Sequence, residues 1–338
     1  MAKMARAIIL SFVVLLMHIW AGPACCNEAG HIWGVQFEND FFGGGTDRHF
    51  THGTRLSHLT KPIPWMTKAA DRLPWFSAEE PREDDAGRLK ARATISLGQS
   101  IYTPEDIAVC EMIKEDRPYA GWLYAGFGLV INRDDKRYDQ VELDVGVVGP
   151  SSFAEDVQKK WHSIFGLQRP NGWDHQMEDE LGVALFYEQA RRFHTKEAIC
   201  GLQFDVIPHL GGAVGNVFTY AAAGLTVRLG LNLEDDFGSP RIRPSLPGAG
   251  YYQRQDFNFY LFAGGEARGV LHNIFLDGNT FAESHSVDRK PLVGDVQVGI
   301  AVQVSRFRIT YTQIYRTKEY DGQDSADQFG ALSLSLEF

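Results

Sequence analysis

Three groups of polar residues in this 338-residue chain have the side-chain types that hydrolysis or cation binding needs. The first contains Glu38, Asn39 and Asp40, with Thr51 following beyond a glycine-rich stretch. If these residues end one strand and begin its partner, a hairpin brings their oxygens close together. Carboxylate, amide and hydroxyl oxygens suit Ca²⁺, so the group is a candidate calcium site. Asn, Asp, Gly and Thr are also common in tight turns, and the residue types alone favour an ordinary turn.

The second group lies on a short helix predicted over residues 154–165. Gln158 and His162 are one turn apart and therefore share a face of this helix, with Trp161 beside them. A histidine titrates near neutral pH, which makes His162 a candidate general base. The alternative is a structural histidine that packs on aromatic side chains.

The ends of this helix carry signals of their own. Ser152 and Glu155 have the spacing of a capping box at its start. Gly166 follows the last helical residue, where the left-handed conformation that ends many helices favours glycine. The sequence therefore predicts both boundaries of the helix.

The third group, Asp116 and Arg117, precedes a predicted strand. Arg117 could bind a phosphate or a carboxylate there, since a guanidinium forms paired hydrogen bonds to such groups. It could equally pair with Asp116 as surface structure. The chain has no Gly-x-Ser-x-Gly motif and no Cys/His pattern with zinc spacing. Hydrolysis would therefore use water activated by a base, with a metal polarising the carbonyl.

Alternation of apolar and polar residues recurs along the chain and predicts an all-β fold, a transmembrane antiparallel β-barrel. Twelve strands are predicted, at 31–41, 50–60, 91–102, 119–132, 138–148, 183–193, 199–211, 217–231, 256–276, 293–304, 307–316 and 329–338. A half-exposed soluble sheet alternates in the same way, and the ninth segment is long enough for two strands. If both termini are periplasmic, all three polar groups lie at the outer rim, and the helix lies in the outer connection 149–182.

The two ends of the chain indicate an outer-membrane protein. A short positive stretch, an apolar run and several small residues form a secretory signal, so we predict that residues 1–26 are cleaved and that 27–338 form a single barrel domain. The last ten residues, FGALSLSLEF, alternate strictly and end on Phe338. This ending resembles the assembly signal of bacterial outer-membrane barrels, which makes the barrel-assembly machinery an expected partner.

Composition excludes two further classes. No apolar run beyond residue 26 approaches the roughly 20 residues that a membrane-spanning helix needs. The formal charge of −10, with scattered Lys and Arg, gives no basic stripe for nucleic acid. Cys110 and Cys200 remain after the predicted leader. An oxidising compartment would permit a disulfide between them, although two separate thiols fit as well.

Five motifs follow one another along the chain: Glu-Asn-Asp at 38–40, Thr-Asp-Arg-x-Phe-Thr-x-Gly at 46–53, Asp-Arg-Pro-Tyr-Ala-Gly-Trp at 116–122, Gln-x-x-x-His at 158–162 and Asn-Ile-Phe-Leu-Asp-Gly at 273–278. Taken in this order, the motifs resemble those of the outer-membrane lipid A 3′-O-deacylases. The resemblance runs from about Gly30 to Phe338. It implies a twelve-stranded barrel in the bacterial outer membrane that removes the 3′ acyloxyacyl group of lipopolysaccharide and requires Ca²⁺.

The resemblance also implies roles for single residues. Asn39, Asp40, Thr51, Gln158 and His162 would form the catalytic set, with His162 taking a proton from water. Ca²⁺ held near Asn39 and Asp40 would polarise the ester carbonyl and stabilise the oxyanion. Gln158 would orient the water or His162.

Further residues would contact the metal or the substrate. Glu38 is a third candidate calcium ligand, Arg117 or Lys114 would hold a glucosamine phosphate, and Trp161 would line the groove for an acyl chain. His52 departs from the family pattern, in which a smaller polar residue is expected. Strict alternation places Asn39 and Asp40 on opposite faces of a strand, so the prediction requires a bulge, or a site between the barrel wall and the helix.

Two other functions fit the same sequence. An outer-membrane phospholipase would normally use a serine nucleophile, and no convincing candidate is found. A non-catalytic pore or structural barrel fits the polar interior, to which Glu142, Asp144 and Asp295 are predicted to point.

Overall fold

A computed structural model describes residues 30–40, 48–73, 89–134, 136–194, 201–233, 236–239, 241–242, 250 and 252–338. The predicted signal peptide and Cys200 lie outside these residues, and Cys110 is an exposed free thiol. The strands are β1 Ile32–Asn39, β2 His49–Leu59, β3 Leu89–Thr103, β4 Ala120–Arg133, β5 Arg137–Val148, β6 Glu180–Arg191, β7 Phe193–His194, β8 Gln203–Gly215, β9 Phe218–Leu231, β10 Gln255–Asn273, β11 Leu292–Ser305, β12 Phe307–Arg316 and β13 Asp327–Glu337.

Each long strand pairs antiparallel with its neighbours, and the sheet closes on itself. β1 pairs with β13, and β6 pairs with β8, while β7 is a two-residue strand against β8. Twelve long strands therefore form a closed barrel, as the alternation predicted. The long ninth segment is a single strand of 19 residues, β10, rather than two.

Side chains alternate between a polar interior and an apolar exterior. Glu142, Asp144 and Asp295 are buried inside the barrel, as predicted. Asp295 accepts hydrogen bonds from Arg268 and Arg316 at 2.9 Å, because a charge without water needs a partner. Apolar side chains cover the outside, with Leu97 56% and Phe127 55% exposed. This is the pattern of a barrel that faces lipid.

Among the described residues, the connections contain three helices: α1 Pro64–Asp71, α2 Ala154–Phe165 and α3 Ile274–Asp277. Short 3₁₀ turns span Pro150–Ser152 and Trp173–His175. Helix α2 has the predicted boundaries, and Gly166 ends it with a φ of 65°.

The predicted capping box at the start of α2 is wrong. The N-cap is Phe153, in the left-handed conformation and without a side-chain cap. The helix thus begins one residue too late for the box spacing. Ser152 Oγ instead donates to the Gly149 carbonyl at 2.6 Å, and Glu155 pairs with Lys159.

No helix in the described part of the chain is long and apolar enough to cross a membrane.

Candidate active site

A cavity of about 410 Å³ lies between helix α2 and the outer ends of β1, β2 and β3. Its volume is within the range of small-molecule sites. On the barrel side it is lined by Asn39, Asp40, Arg48, Thr51, His52 and Ile101, and on the helix side by Val157, Gln158, Trp161 and His162. One cavity therefore contains six of the predicted site residues: Asn39, Asp40, Thr51, Gln158, Trp161 and His162.

A β-bulge in β2 places Thr51 beside the cavity. Phe50 pairs with Tyr102 and His52 with Ile101, so Thr51 is the extra residue in β2. Phe50 packs inward against Phe329, while Thr51 and His52 both line the cavity. The bulge required by the prediction is thus present, but in β2, and the site lies between the barrel wall and the helix.

Hydrogen bonds fix the polar groups on the barrel side. Asn39 Nδ2 donates to the Thr51 carbonyl at 2.8 Å, which leaves Asn39 Oδ1 on the other side of the amide. The Thr51 and Thr103 hydroxyls are 2.7 Å apart. The Arg48 N–H donates to Asp40 Oδ2 at 2.5 Å. Asp40 lies just beyond the last residue of β1, where strand alternation no longer applies, so it lines the same cavity as Asn39.

The surroundings of His162 show which of its two ring nitrogens carries the proton. Its Nδ1 contacts the carbonyl oxygen of Gln168, which lies three residues beyond the helix end at Phe165. A carbonyl oxygen only accepts hydrogen bonds, so Nδ1 carries the proton. In the neutral ring the lone pair is then on Nε2, which is the arrangement that a general base requires.

Gln158 is held by a residue outside the helix. Trp173 Nε1 donates to Gln158 Oε1 at 2.7 Å, and both side chains are almost fully buried. This bond identifies the amide atom that faces Trp173 as the oxygen, since the indole N–H can only donate. Gln158 Nε2 has no hydrogen-bond partner among the described residues. A buried donor without a partner is costly, so Gln158 offers an N–H to whatever occupies the cavity.

Arg48 and His52 also make contacts at the site that were not predicted. Arg48 lines the cavity, pairs with Glu105 and donates to Ser325 Oγ at 2.7 Å. His52, the departure from the family pattern, packs its ring against Trp161 at 5.7 Å and so connects the barrel wall to helix α2. Arg48 lies in the Thr-Asp-Arg motif, which is the signal that could have identified it.

Three predicted residues are not at the cavity. Glu38 faces the barrel interior, because it alternates with Asn39 along β1, and its carboxylate pairs with Arg241. Arg117 is fully buried beside Tyr102 rather than exposed at the rim, with its Nη1 3.6 Å from Glu319. Lys114 is exposed but does not line the cavity.

The donors at the cavity fit calcium better than a transition metal. Asn39, Asp40 and Thr51 offer an amide oxygen, a carboxylate and a hydroxyl, which are ligand types that Ca²⁺ accepts together with water. Within the described ranges, no three His, Cys, Asp or Glu side chains come together as a metal cluster. A bound Ca²⁺ would therefore depend on neutral oxygens as well as on a carboxylate such as that of Asp40, beside which Glu105 and Asp106 also line the cavity.

The protein is a closed barrel with an apolar belt on its outside and a polar site on its outer wall. These features define it as a bacterial outer-membrane β-barrel. The family model described as Outer membrane protein LpxR matches residues 8–338. The chain therefore belongs to this family, the one whose lipid A deacylases its motifs resemble.

One solved structure agrees with the fold, and a second is more distant. LpxR from Salmonella typhimurium aligns with a TM-score of 0.71 and 21% identity, covering 91% of this chain and all of that one. The β domain of the Bordetella autotransporter BrkA aligns with a TM-score of 0.44 and 12% identity, covering 92% of this chain and all of that one. No curated protein matches the sequence.

Proposed function

We propose that this protein is a calcium-dependent esterase that removes the 3′-linked acyloxyacyl group from lipid A in the outer leaflet. The observation that carries the proposal is the single cavity on the lipid-facing side of the barrel that contains His162, Gln158, Asn39, Asp40 and Thr51. Membership of the LpxR family supports the same reaction.

In the proposed reaction His162 acts as general base. Its Nε2 takes a proton from water while the water oxygen attacks the ester carbonyl carbon. The carbonyl electrons move to oxygen, and the tetrahedral intermediate then breaks its bond to the sugar oxygen. The proton held by His162 passes to that oxygen, which leaves a free 3′ hydroxyl and a carboxylic acid. The Gln168 carbonyl, which accepts from Nδ1, stabilises the protonated ring during this cycle.

Gln158 supplies a donor to the oxygen that becomes negative. Its Nε2–H is buried and has no partner in the described structure, while its Oε1 is held by Trp173. A donor that is already oriented does not have to reorganise as charge develops. This role differs from the one that the resemblance implied, in which Gln158 orients water or His162.

Asn39, Asp40 and Thr51 would hold the calcium ion at the barrel side of the cavity. When bound there, Ca²⁺ would draw electron density from the ester carbonyl and stabilise negative charge on its oxygen. Asn39 is already oriented by its bond to Thr51, and Asp40 by its bond from the Arg48 N–H.

Lipid A would reach the site sideways from the membrane. Helix α2 exposes a row of apolar side chains: Val157, Trp161, Ile164 and Phe165 are between 37% and 66% exposed. Val157 and Trp161 also line the cavity. Acyl chains could therefore follow this row from the lipid to the ester without leaving an apolar surface.

The alternatives have less support. A phospholipase with a serine nucleophile would need a serine at the site, but none of the described residues that line the cavity is a serine or a cysteine. The lumen of a pore would be open, whereas the interior of this barrel holds buried ion pairs such as Arg268 with Asp295.

Mass spectrometry of lipid A from cells that express the chain tests the proposal, with His162→Ala as the matched variant. We expect the wild type alone to remove the 3′ acyl groups, and a calcium chelator to abolish this activity in isolated membranes. Unchanged lipid A from an inserted, calcium-supplied wild type would refute the reaction. Equal activity in the variant would refute the role of His162 only.

A further inference from the structure

The connection between β9 and β10 enters the lumen of the barrel. It leaves β9 after Leu231 and joins β10 at Gln255, at the barrel end where β1 begins. Asp236 forms buried ion pairs with Arg228, near the end of β9, and with Arg308, near the start of β12. These pairs anchor the connection inside the periplasmic end of the barrel.

Shortly after Asp236 the same connection contacts the other end of the interior. The Ile242 N–H donates to Glu38 Oε1 at 2.8 Å. Arg241 donates to both oxygens of the same carboxylate, Nε at 3.2 Å and Nη2 at 3.4 Å. Glu38 is the seventh of the eight residues of β1, so the connection reaches a point roughly 20 Å along β1 from the start of that strand.

These contacts lie directly behind the proposed active site. Glu38 is paired with Gly53 across β1 and β2, and the next pair is Asn39 with His52. The first pair faces the lumen, and the second faces the cavity. Gly53 leaves room for the connection, because a Cβ at this position would lie 2.7 Å from Ile242 Cδ1. Residues 241–242 therefore press on the inner side of the two strands that carry the site.

We infer that Arg241 is a positioning residue for the esterase, acting through Glu38 to hold the outer end of β1. The inference rests on the proposed function. Glu38 and Arg241 are both almost fully buried, so their attraction is little screened by water. Asn39 and Asp40 follow Glu38 directly in the chain. A shift of about 1 Å at a site can cost about 100-fold in rate, so loss of this support impairs turnover without removing any group from the cavity.

A connection that only closes the lumen would behave differently. Its loss would lower stability or let ions pass, but turnover by the folded enzyme would not change. The two roles are therefore separated by kinetic measurements on folded variants.

The experiment compares Arg241→Met with Arg268→Met in detergent-solubilised enzyme acting on lipid A micelles. Arg268 is buried to the same 2% exposure and also pairs with carboxylates, but these are Glu266 on β10 and Asp295 on β11 rather than Glu38. For Arg241→Met we expect kcat to fall about 10-fold or more, with KM within about 3-fold, as for a loss of orientation alone. Arg268→Met should keep kcat within about 3-fold of the wild type.

A tether provides the rescue. Gly53→Cys and Ile242→Cys are added to Arg241→Met, with Cys110 and Cys200 replaced by serine. The oxidised disulfide holds the connection against β2 in place of the ion pair, so kcat should return to within about 3-fold of the wild type. Reduction of the same sample should lower it again, while reductant leaves the wild type unchanged.

Three results would overturn the inference: wild-type kcat in Arg241→Met, equal losses in both arginine variants, or no recovery on oxidation. A wild type without deacylase activity would instead refute the proposed function. Disulfide formation between positions 53 and 242 would still be measurable in that case, and its absence would count against contact between the connection and β2.

Discussion

Replacement of Trp173 by phenylalanine tests the orientation of Gln158 without touching the cavity itself. The change removes the indole N–H that donates to Gln158 Oε1 at 2.7 Å. Phenylalanine keeps an aromatic ring in the buried position, where Trp173 packs against Tyr119 with ring centroids 4.9 Å apart. The fold should therefore persist, while the Gln158 amide becomes free to rotate.

The size of the effect follows from the bond that is lost. Loss of one partner of a buried hydrogen bond costs about 1–3 kcal/mol. Complete loss of one oxyanion donor lowers kcat by about 10²–10³, which is the effect expected for Gln158→Ala. Since Trp173→Phe leaves the donor present but misoriented, we expect kcat to fall about 10-fold, equivalent to about 1.4 kcal/mol in the activation barrier.

The assay is steady-state hydrolysis of lipid A, with Trp122→Phe as the matched control. Trp122 is buried to the same 1% exposure, but its Nε1 has no hydrogen-bond partner in the described structure. The control should therefore lose packing and keep kcat. The double variant Trp173→Phe/Gln158→Ala should be no slower than Gln158→Ala, because Trp173 acts through Gln158. Additive losses, or an equal loss in the control, would refute this reasoning.

The other predictions concern the base, the metal and the outer connection. His162→Ala should lower kcat by about 10²- to 10⁴-fold. The variant should keep the heat-dependent shift in gel mobility that a folded barrel shows. Turnover at the wild-type rate in this variant would exclude His162 as the general base. Asp40→Asn should raise the calcium concentration needed for half-maximal deacylation, and an unchanged requirement would place the ion elsewhere. Burial opposes ionisation of Asp277, but hydrogen bonds from His272, the Asn273 N–H and Arg289 outweigh it and hold its pKa below the usual value. Its stabilising effect is thus present above about pH 4 and lost as pH falls further, so limited proteolysis of residues 274–291 should increase only below that pH, and this acid dependence should be absent in Asp277→Asn.

Much of the fold follows from local patterns in the sequence. Twelve strands could be predicted because each strand has the polar interior on one side and lipid on the other. Its side chains must therefore alternate between polar and apolar along the chain. Helix α2 could be predicted because a continuous run of helix-compatible residues ends at Gly166, so both signals lie within the segment itself. The shared face of Gln158 and His162 could be predicted from their one-turn spacing on that helix.

The side of the barrel wall on which a single residue lies depended on contacts with residues that are distant in the sequence. The bulge at Thr51 arises from the pairing of β2 with β3, and no local pattern marks it. Glu38 has the residue type of a calcium ligand, but alternation turns it inward, where it meets Arg241 from a connection 203 residues later. Arg117 has the residue type of a phosphate ligand, but it is buried beside Tyr102 and Glu319.

The sequence by itself therefore determined the class of fold, the order of the strands and the residues from which a site could be built. Only the tertiary structure decided which of these residues share one cavity, and that Trp173 orients Gln158. The physical reason is that alternation and helical periodicity act between neighbours along the chain. Closing the barrel, by contrast, sets the distances between residues that are far apart in sequence, and these distances define the site.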